Sequence, residues 1–494
     1  MNSRRAGSVT WVASPLTLSN HKREEHSSYF LQVLSSRHAI YFIIGLGVIV
    51  RLIPLALVGA KFLAHENPSY DVMAEHLLRN EPFSTYWPPG LPYYLAFFHL
   101  LFGSGMFVAR ASILVVYVGF SVALYVLVKD LASRRAGNVA VLIFAVYPSY
   151  FRYAFDPSTE YLTATLLLVI VYCTISVLRR PLFWTAGILG ISLGTLALVR
   201  PNSFGLAIIV PAYIVFRSRK WRIGITSLMA ALMLVSAWIW KVSDMAGRFI
   251  FINDSNQENL VFSNHPATPL YLTCRDCPIY GALPAGFLKL EYEIDDKPSL
   301  EQQRRMRETT TRFVLARPDL FLVRSFNRFR AYFRFPIHYA DPLVRHSKAG
   351  DSTRRWLGNA ITAFEVALFW PLMALAIISC FNLRTLRLRP DTAFIILGVA
   401  FVYALPCWLT WSEPRYAFPV IPLFGVLSFV LLDSLLARPW REVLGLIMHS
   451  NARRAGMLVT LSIFFCIQIE WIVLIVYTGA WHDRWAHLTS FSQF

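Results

Sequence analysis

A few ionisable residues in this chain stand where almost everything around them is apolar. Asp71 closes the stretch His65-Glu66-Asn67-Pro68-Ser69-Tyr70-Asp71, directly after the first long apolar run. Asp156 and Glu160 lie in Phe155-Asp156-Pro157-Ser158-Thr159-Glu160, and Arg200 and Arg415 in Val199-Arg200-Pro201-Asn202 and Glu413-Pro414-Arg415-Tyr416. Charged groups beside or inside membrane-length apolar runs are costly and need a task or a partner. A carboxylate in such a place can take a proton from a hydroxyl or an amine. A guanidinium there offers a fork of donors that matches phosphate oxygens.

Each of these residues also has a plainer reading. Asp156 before Pro157 is a good helix cap, and either arginine could stabilise a helix end or snorkel to water. Glu413 could neutralise Arg415. Asp71 could be a helix cap or a solvated surface acid; Asn67, before Pro68 at the first helical position, already serves as cap, which weakens the first of these. Glu75 has a structural partner in Arg79 at i, i+4. Asn264 and His265 could hydrogen-bond a sugar, or be exposed loop residues.

The elements that must carry these groups follow from hydropathy. The chain has 494 residues, 56% of them hydrophobic and 15% charged, with a mean hydropathy of +0.48. Its apolar residues come in blocks, and runs of ~20 such residues are transmembrane helices. The expected fold is an all-α polytopic membrane protein with about eleven spans. They are 39–60, 106–128, 137–153, 157–178, 182–199, 202–216, 222–241, 357–382, 391–410, 414–437 and 455–478. Those at 182–199 and 202–216, parted only by Arg200-Pro201, could equally form one kinked hairpin.

The net charge of +18 does not point to nucleic acid, because the basic residues sit in short loops between apolar blocks. With the N-terminus inside, the inside loops carry Lys129, Arg134 and Arg135; Arg179 and Arg180; Arg217, Arg219, Lys220 and Arg222; Arg384, Arg387 and Arg389; and Arg438, Arg441, Arg453 and Arg454. That is the positive-inside pattern. The chain then divides into a cytoplasmic basic arm (1–38), an N-terminal membrane module (39–241) with a first outside loop at 61–105, a periplasmic segment (242–356), C-terminal spans (357–480) and a tail (481–494).

Within the first outside loop, a short helix ending near Arg79 and a second from Leu91 to Phe102 are too short to span and suit the interface. A polar helix is expected at about 299–317, capped by Ser299. Cys274 and Cys277 would face an oxidising compartment, which favours a local disulfide. A zinc site would need two further ligands. No glycine-rich phosphate loop is present for a nucleotide.

Four motifs in order, Tyr70-Asp71 with Trp87-Pro88-Pro89-Gly90-Leu91-Pro92, Tyr147-Pro148 with Asp156 and Glu160, Leu198-Val199-Arg200-Pro201, and Pro414-Arg415-Tyr416-Ala417-Phe418-Pro419, resemble the GT-C fold glycosyltransferases. Asn259-Leu260 and Asn264-His265-Pro266 add to the likeness, which spans roughly 39–437. Within that fold the chain is similar to protein O-mannosyltransferases and aminoarabinose transferases of glycosyltransferase family 39. The resemblance implies a GT-C-type bundle with a small periplasmic domain, and a polyprenyl-phosphate sugar as donor. It implies a lipid, glycan or protein acceptor, and an active site on the periplasmic side of a bacterial inner membrane. Asp71 would be the catalytic carboxylate, with Asp156 or Glu160 a second acid. Arg415 with Tyr416, Arg200 and Asn264 would contact substrate. Some members hold a divalent metal and others do not; His65, Glu66 and His76 could ligate one, but their spacing is no recognised signature. A polysaccharide polymerase or ligase and a lipid-linked sugar flippase are the rival readings, although the inverted repeats of a transporter are missing.

Overall fold

Unbroken apolar sequence leaves the backbone one way to satisfy its own polar groups in lipid, which is the helix. The computed structural model describes residues 29–58, 68–153, 157–268, 299–335, 351–386, 388–410, 412, 414–439, 441–442, 445 and 451–477, and among them every regular element is helical. In chain order these are α1 (Tyr29–Ser35), α2 (Ala39–Val58), α3 (Pro68–Arg79), α4 (Gly90–Phe102), α5 (Met106–Leu131), α6 (Arg134–Val146) and α7 (Ser149–Arg152). Then come α8 (Thr159–Arg179), α9 (Phe183–Val199), a 3-10 turn (Pro201–Ser203), α10 (Phe204–Ser218), α11 (Trp221–Ala246) and α12 (Asn256–Ser263). The remainder are α13 (Leu300–Ala316), α14 (Pro318–Tyr332), α15 (Asp351–Phe381), α16 (Pro390–Leu409), α17 (Pro414–Ala417), α18 (Ile421–Ala437) and α19 (Asn451–Tyr477).

The protein is a polytopic all-α membrane protein. Among the described residues six stretches are long and apolar enough to cross a bilayer: Met106–Leu131, Thr159–Arg179, Trp221–Ala246, Trp356–Phe381, Pro390–Leu409 and Asn451–Val473. The other expected spans fall on α2, whose shorter apolar stretch is Ala39–Leu52, and on the shorter helices α6, α9, α10 and α18. Large apolar side chains such as Phe107, Phe216, Trp240 and Met233 point outward from the bundle, as the lipid-facing side of a membrane helix requires.

Two expected boundaries move, those at Pro148 and Pro419, and the one at Pro201 stands. The run 137–153 stops as a helix at Val146, because Pro148 excludes the helical conformation from Tyr147, which is extended (φ −72°, ψ 117°). Arg200 is extended in the same way before Pro201 (φ −137°, ψ 93°), so α9 and α10 are two helices. The run at 414–437 begins as the single turn α17, and α18 starts only after Pro419. Sites of interest thus gather where prolines end helices. The polar helix α13 begins where expected, with Ser299 and Gln302 forming a reciprocal capping box.

One end of the bundle is tied by ion pairs between basic residues in the terminal turns of helices and the acids of neighbouring helices. Arg179 meets Asp130, Arg135 lies 2.9 Å from Asp433, and Arg217 lies 2.6 Å from Asp391. The opposite end holds the first turns of α3, α8 and α10 and the short helix α17.

A buried cation braces that opposite end. Arg51 of α2 is wholly buried. Its guanidinium donates to the carbonyls of Gly47 (3.0 Å), Ala145 (2.9 Å) and Phe144 (3.1 Å) and to the Tyr161 hydroxyl (3.1 Å), and lies 3.8 Å from the centre of the Tyr117 ring. Two of those carbonyls belong to the last turn of α6, which has no next helical turn to donate to them. The charge is therefore dispersed over carbonyl dipoles and an aromatic face.

Candidate active site

The first outside loop folds as two short helices pressed together and against the ends of the spans. Glu75 and Arg79 of α3 pair at 3.4 Å, whereas Asp71, Met73 and Ala74 of the same helix are buried. α4 turns the stripe Leu91, Pro92, Leu95, Ala96 and His99 inward. Asp71 meets that stripe. Its Oδ1 lies 2.7 Å from His99 Nε2.

The start of α4 is fixed by a close approach. A Cβ placed on Gly90 would lie 2.6 Å from the backbone nitrogen of Val199 and 2.8 Å from the carbonyl carbon of Leu198. Only glycine lets the turn after Pro88-Pro89 rest on the end of α9, one residue before Arg200. The stretch before it is pinned from the other side by the segment after α11. Thr85 Oγ1 donates to Asp254 (2.6 Å), Tyr86 to Glu258 (3.2 Å), and Asn253 Nδ2 to the Tyr86 carbonyl (2.9 Å). Trp87 then packs its ring against Tyr70, with centroids 5.2 Å apart.

Glu160 and Arg200, forty residues apart in sequence, form one buried ion pair: Arg200 Nη2 lies 2.7 Å from Glu160 Oε1. The ring of Tyr416 lies 5.2 Å from the Arg200 guanidinium and 5.5 Å from that of Arg415. Tyr70 joins this group to α3. Desolvation pushes its phenol above the ordinary tyrosine range, and the charges it senses, in falling order, are those of Arg200, Glu160, Arg415 and Tyr416. Asp71, the partner of His99, directly follows Tyr70 in the first turn of α3. Two buried donors in this group, Arg200 Nε and Tyr403 Oη, have no hydrogen-bond partner among the described residues.

A chain of hydrogen bonds holds these parts in register. Arg51 reaches Tyr161, Tyr161 donates to the Tyr150 carbonyl (2.5 Å), and Tyr150 donates to the Phe418 carbonyl (2.8 Å) while stacking on the Phe418 ring. Tyr332 donates to the Tyr416 carbonyl at 3.0 Å. The carboxylate of Glu365 accepts from the Ser149 amide (2.9 Å) and hydroxyl, which anchors α7 on α15. Glu160, beside Tyr161, and Arg415, beside Phe418, are thus set by one network.

Of the expected site residues, Glu160, Arg200, Arg415 and Tyr416 come together, and Asp71 stands on the adjoining helix turn. Asn264 is buried in a different task. Its amide donates to the Leu260 and Leu409 carbonyls, and its Oδ1 accepts from Arg328 Nη2 at 3.2 Å. Arg328 also binds the carbonyls of Trp408 and Ser263, so this clasp ties the segment after α12 to the end of α16. Asp156, His65, Glu66, Asn67 and the Cys274–Cys277 pair lie outside the described residues. Among the described residues no three His, Cys, Asp or Glu side chains converge as a metal site. His76, one of the expected ligands, turns to the Pro82 carbonyl (2.8 Å) and to Glu81.

His99, Arg51, Glu365 and Arg328 are not singled out by the sequence. A signal exists for three of them: each is an ionisable residue in an otherwise apolar helical run, which demands a partner. Arg328 is hidden in the polar α14.

Residues 87–240 match the family model of dolichyl-phosphate-mannose-protein mannosyltransferases. The match takes in Trp87, Gly90, His99, Glu160 and Arg200, and leaves Asp71 and Arg415 outside it. The chain thus resembles GT-C glycosyltransferases beyond the four sequence motifs. No curated protein matches it. Among solved structures it is similar to the oligosaccharyltransferase of Archaeoglobus fulgidus in a complex with Zn and sulfate, at 14% identity and a TM-score of 0.45, over 84% of this chain and 52% of that one. It is also similar to the archaeal oligosaccharyltransferase AglB from Archaeoglobus fulgidus in complex with an inhibitory peptide and a dolichol-phosphate, at 13% identity and a TM-score of 0.44, over 90% and 56%. The chain spans about half the length of these structures.

Proposed function

We propose that this protein is a membrane glycosyltransferase that moves a sugar from a polyprenyl-phosphate donor to a lipid, glycan or protein acceptor. The observation that carries the reading is the group at the first turn of α3: a buried ion pair, a second arginine, two phenols and two buried donors with no hydrogen-bond partner among the described residues. Buried donors without partners are rare and ask for an explanation. An oxygen-rich ligand such as a sugar phosphate supplies one, and its lipid tail would stay in the bilayer beside the spans. The family model's description favours mannose as the sugar and protein as the acceptor.

In this reading Asp71 is the general base. The acceptor oxygen attacks the anomeric carbon, its proton passes to Asp71, and the bond from that carbon to the lipid phosphate oxygen breaks with its electron pair leaving on the phosphate. Configuration at the carbon inverts. Arg415 and Arg200 stabilise the charge that grows on the phosphate, and Glu160 holds Arg200 in place. Tyr416 fixes the two guanidiniums against its ring. Asn264 supports the site through the Arg328 clasp, and Asp156, outside the described residues, remains a second acid. The His65, Glu66 and His76 set is only partly described, and we assign no metal a step.

Charge supports one side of the membrane over the other. The end that carries Arg179, Arg135 and Arg217 is basic, as a cytoplasmic end is, which supports a periplasmic active site in a bacterial inner membrane.

The test is sugar transfer by the full chain in vesicles, supplied with polyprenyl-phosphate mannose and other polyprenyl-phosphate sugars and with peptide, lipid and glycan acceptors. Asp71→Asn should bind donor as tightly as the wild type and lose at least about 100-fold in turnover, the scale of a general base. A wild-type rate in Asp71→Asn removes the base assignment. Donor that crosses the bilayer without being consumed would show a flippase instead.

A further inference from the structure

α4 presents a histidine to a position where a leucine would complete the apolar stripe. His99 is 3% exposed and is held at both ring nitrogens. Nε2 lies 2.7 Å from Asp71 Oδ1, and Nδ1 lies 3.3 Å from the Gly103 carbonyl. A carbonyl oxygen only accepts, so the Nδ1 contact is favourable when Nδ1 carries a hydrogen. The contact of Nε2 with a carboxylate oxygen favours a hydrogen there as well. The Gly103 carbonyl is aimed at the ring by the end of α4 itself. Gly103 closes the helix by donating its amide to the His99 carbonyl at 2.9 Å, and does so with φ +87°, a backbone angle natural to glycine. The ring therefore cannot swing away from Asp71 without giving up both contacts.

Asp71 is engaged on one side only. Its Oδ1 is taken by His99, and its Oδ2 has no hydrogen bond among the described residues. We propose that His99 is the positioning residue of Asp71: it binds Oδ1 in a charge-assisted hydrogen bond, fixes the carboxylate rotamer, and so commits Oδ2 to the acceptor. The proposal rests on the reading of Asp71 as the base. The same division of labour, a reactive group oriented by a partner that is itself oriented by a third group, is a general device for holding a base in geometry. Here the third group is the Gly103 carbonyl. The bond from His99 also replaces part of the hydration that Asp71 gives up on burial.

The experiment compares the full chain with its His99→Phe, His99→Gln and Asp71→Asn variants in vesicles, measuring turnover and donor KM. Phe keeps the bulk of the ring and has no donor, whereas the amide of Gln can reach Oδ1. His99→Phe should lower kcat by about 100-fold, the cost of a misplaced reacting group, with donor KM unchanged within about 3-fold, and His99→Gln should recover at least about 10-fold of that loss. A wild-type kcat in His99→Phe overturns the proposal, as does an equal loss in the Phe and Gln variants. A second readout needs no His99 variant. In 15N-histidine spectra of the wild-type protein, one ring should carry hydrogen on both nitrogens, and its signals should move in Asp71→Asn; an unchanged histidine spectrum also overturns the proposal. Asp71→Asn separates the two readings. If it is inactive while His99→Phe is active, only the positioning role fails; if it is fully active, the base reading fails.

Discussion

Glu160 and Arg200 bear on each other more than either does on solvent, with side chains 4% and 16% exposed. Taking two charges out of water is expensive, and each is tolerable mainly because the other is there. Glu160→Gln keeps the shape and removes the charge, leaving Arg200 buried without its counter-ion. A loss of about 3–5 kcal/mol is expected, visible as a lower unfolding temperature in detergent and relieved in part by adding Arg200→Met. An unfolding temperature equal to the wild type would show that the pair is not the buried unit described here. The pair was only half legible in the sequence. Both residues stand out as charges at span ends, Arg200 directly before Pro201 and Glu160 three residues after Pro157, yet nothing local says that they meet.

At the scale of elements, the joint between α4 and α9 decides how the first outside loop sits on the spans. Gly90→Ala forces a carbon to 2.5 Å from the Val199 side chain and 2.6 Å from its backbone nitrogen, and because the backbone cannot step aside the turn has to move. A shift of about 1 Å at this joint is enough to cost on the order of 100-fold in turnover, while the spans themselves remain intact. Turnover together with far-ultraviolet circular dichroism checks this: activity should fall with helicity unchanged, and a variant of normal activity would mean that the joint is soft. Helix ends were legible where prolines stand, at Pro68, Pro201 and Pro414. They were missed at Pro148 and Pro419, where the apolar run continues through the break and hydropathy alone cannot register it.

For the whole molecule, the distribution of charge between the two ends of the bundle predicts its orientation. Glu81, exposed beside α3, and Arg180, exposed after α8, should lie on opposite sides of the membrane. In a chain whose own cysteines have been replaced by serine, a cysteine introduced as Glu81→Cys should react with a membrane-impermeant maleimide in intact spheroplasts. One introduced as Arg180→Cys should react only after the membrane is opened. The reverse pattern would invert the topology and move the proposed site to the cytoplasm.

What the sequence by itself determined is what depends on neighbours along the chain. Apolar blocks specify helices because lipid offers the backbone no other partner, and loop arginines predict an orientation from a count that is a local property. The exceptional charges at Asp71, Glu160, Arg200 and Arg415 were visible for the same reason, against an apolar background. Only the tertiary structure decided what those charges face. His99 stands 28 residues from Asp71, Arg51 reaches 94 residues to Ala145, and Asn264 gives its amide to Leu409 across 145. In a chain whose helices are apolar on nearly every side, no stripe marks which face meets which neighbour. Shape complementarity between spans makes that choice, and it brings Tyr70, Glu160, Arg200 and Tyr416 to one place beside Asp71.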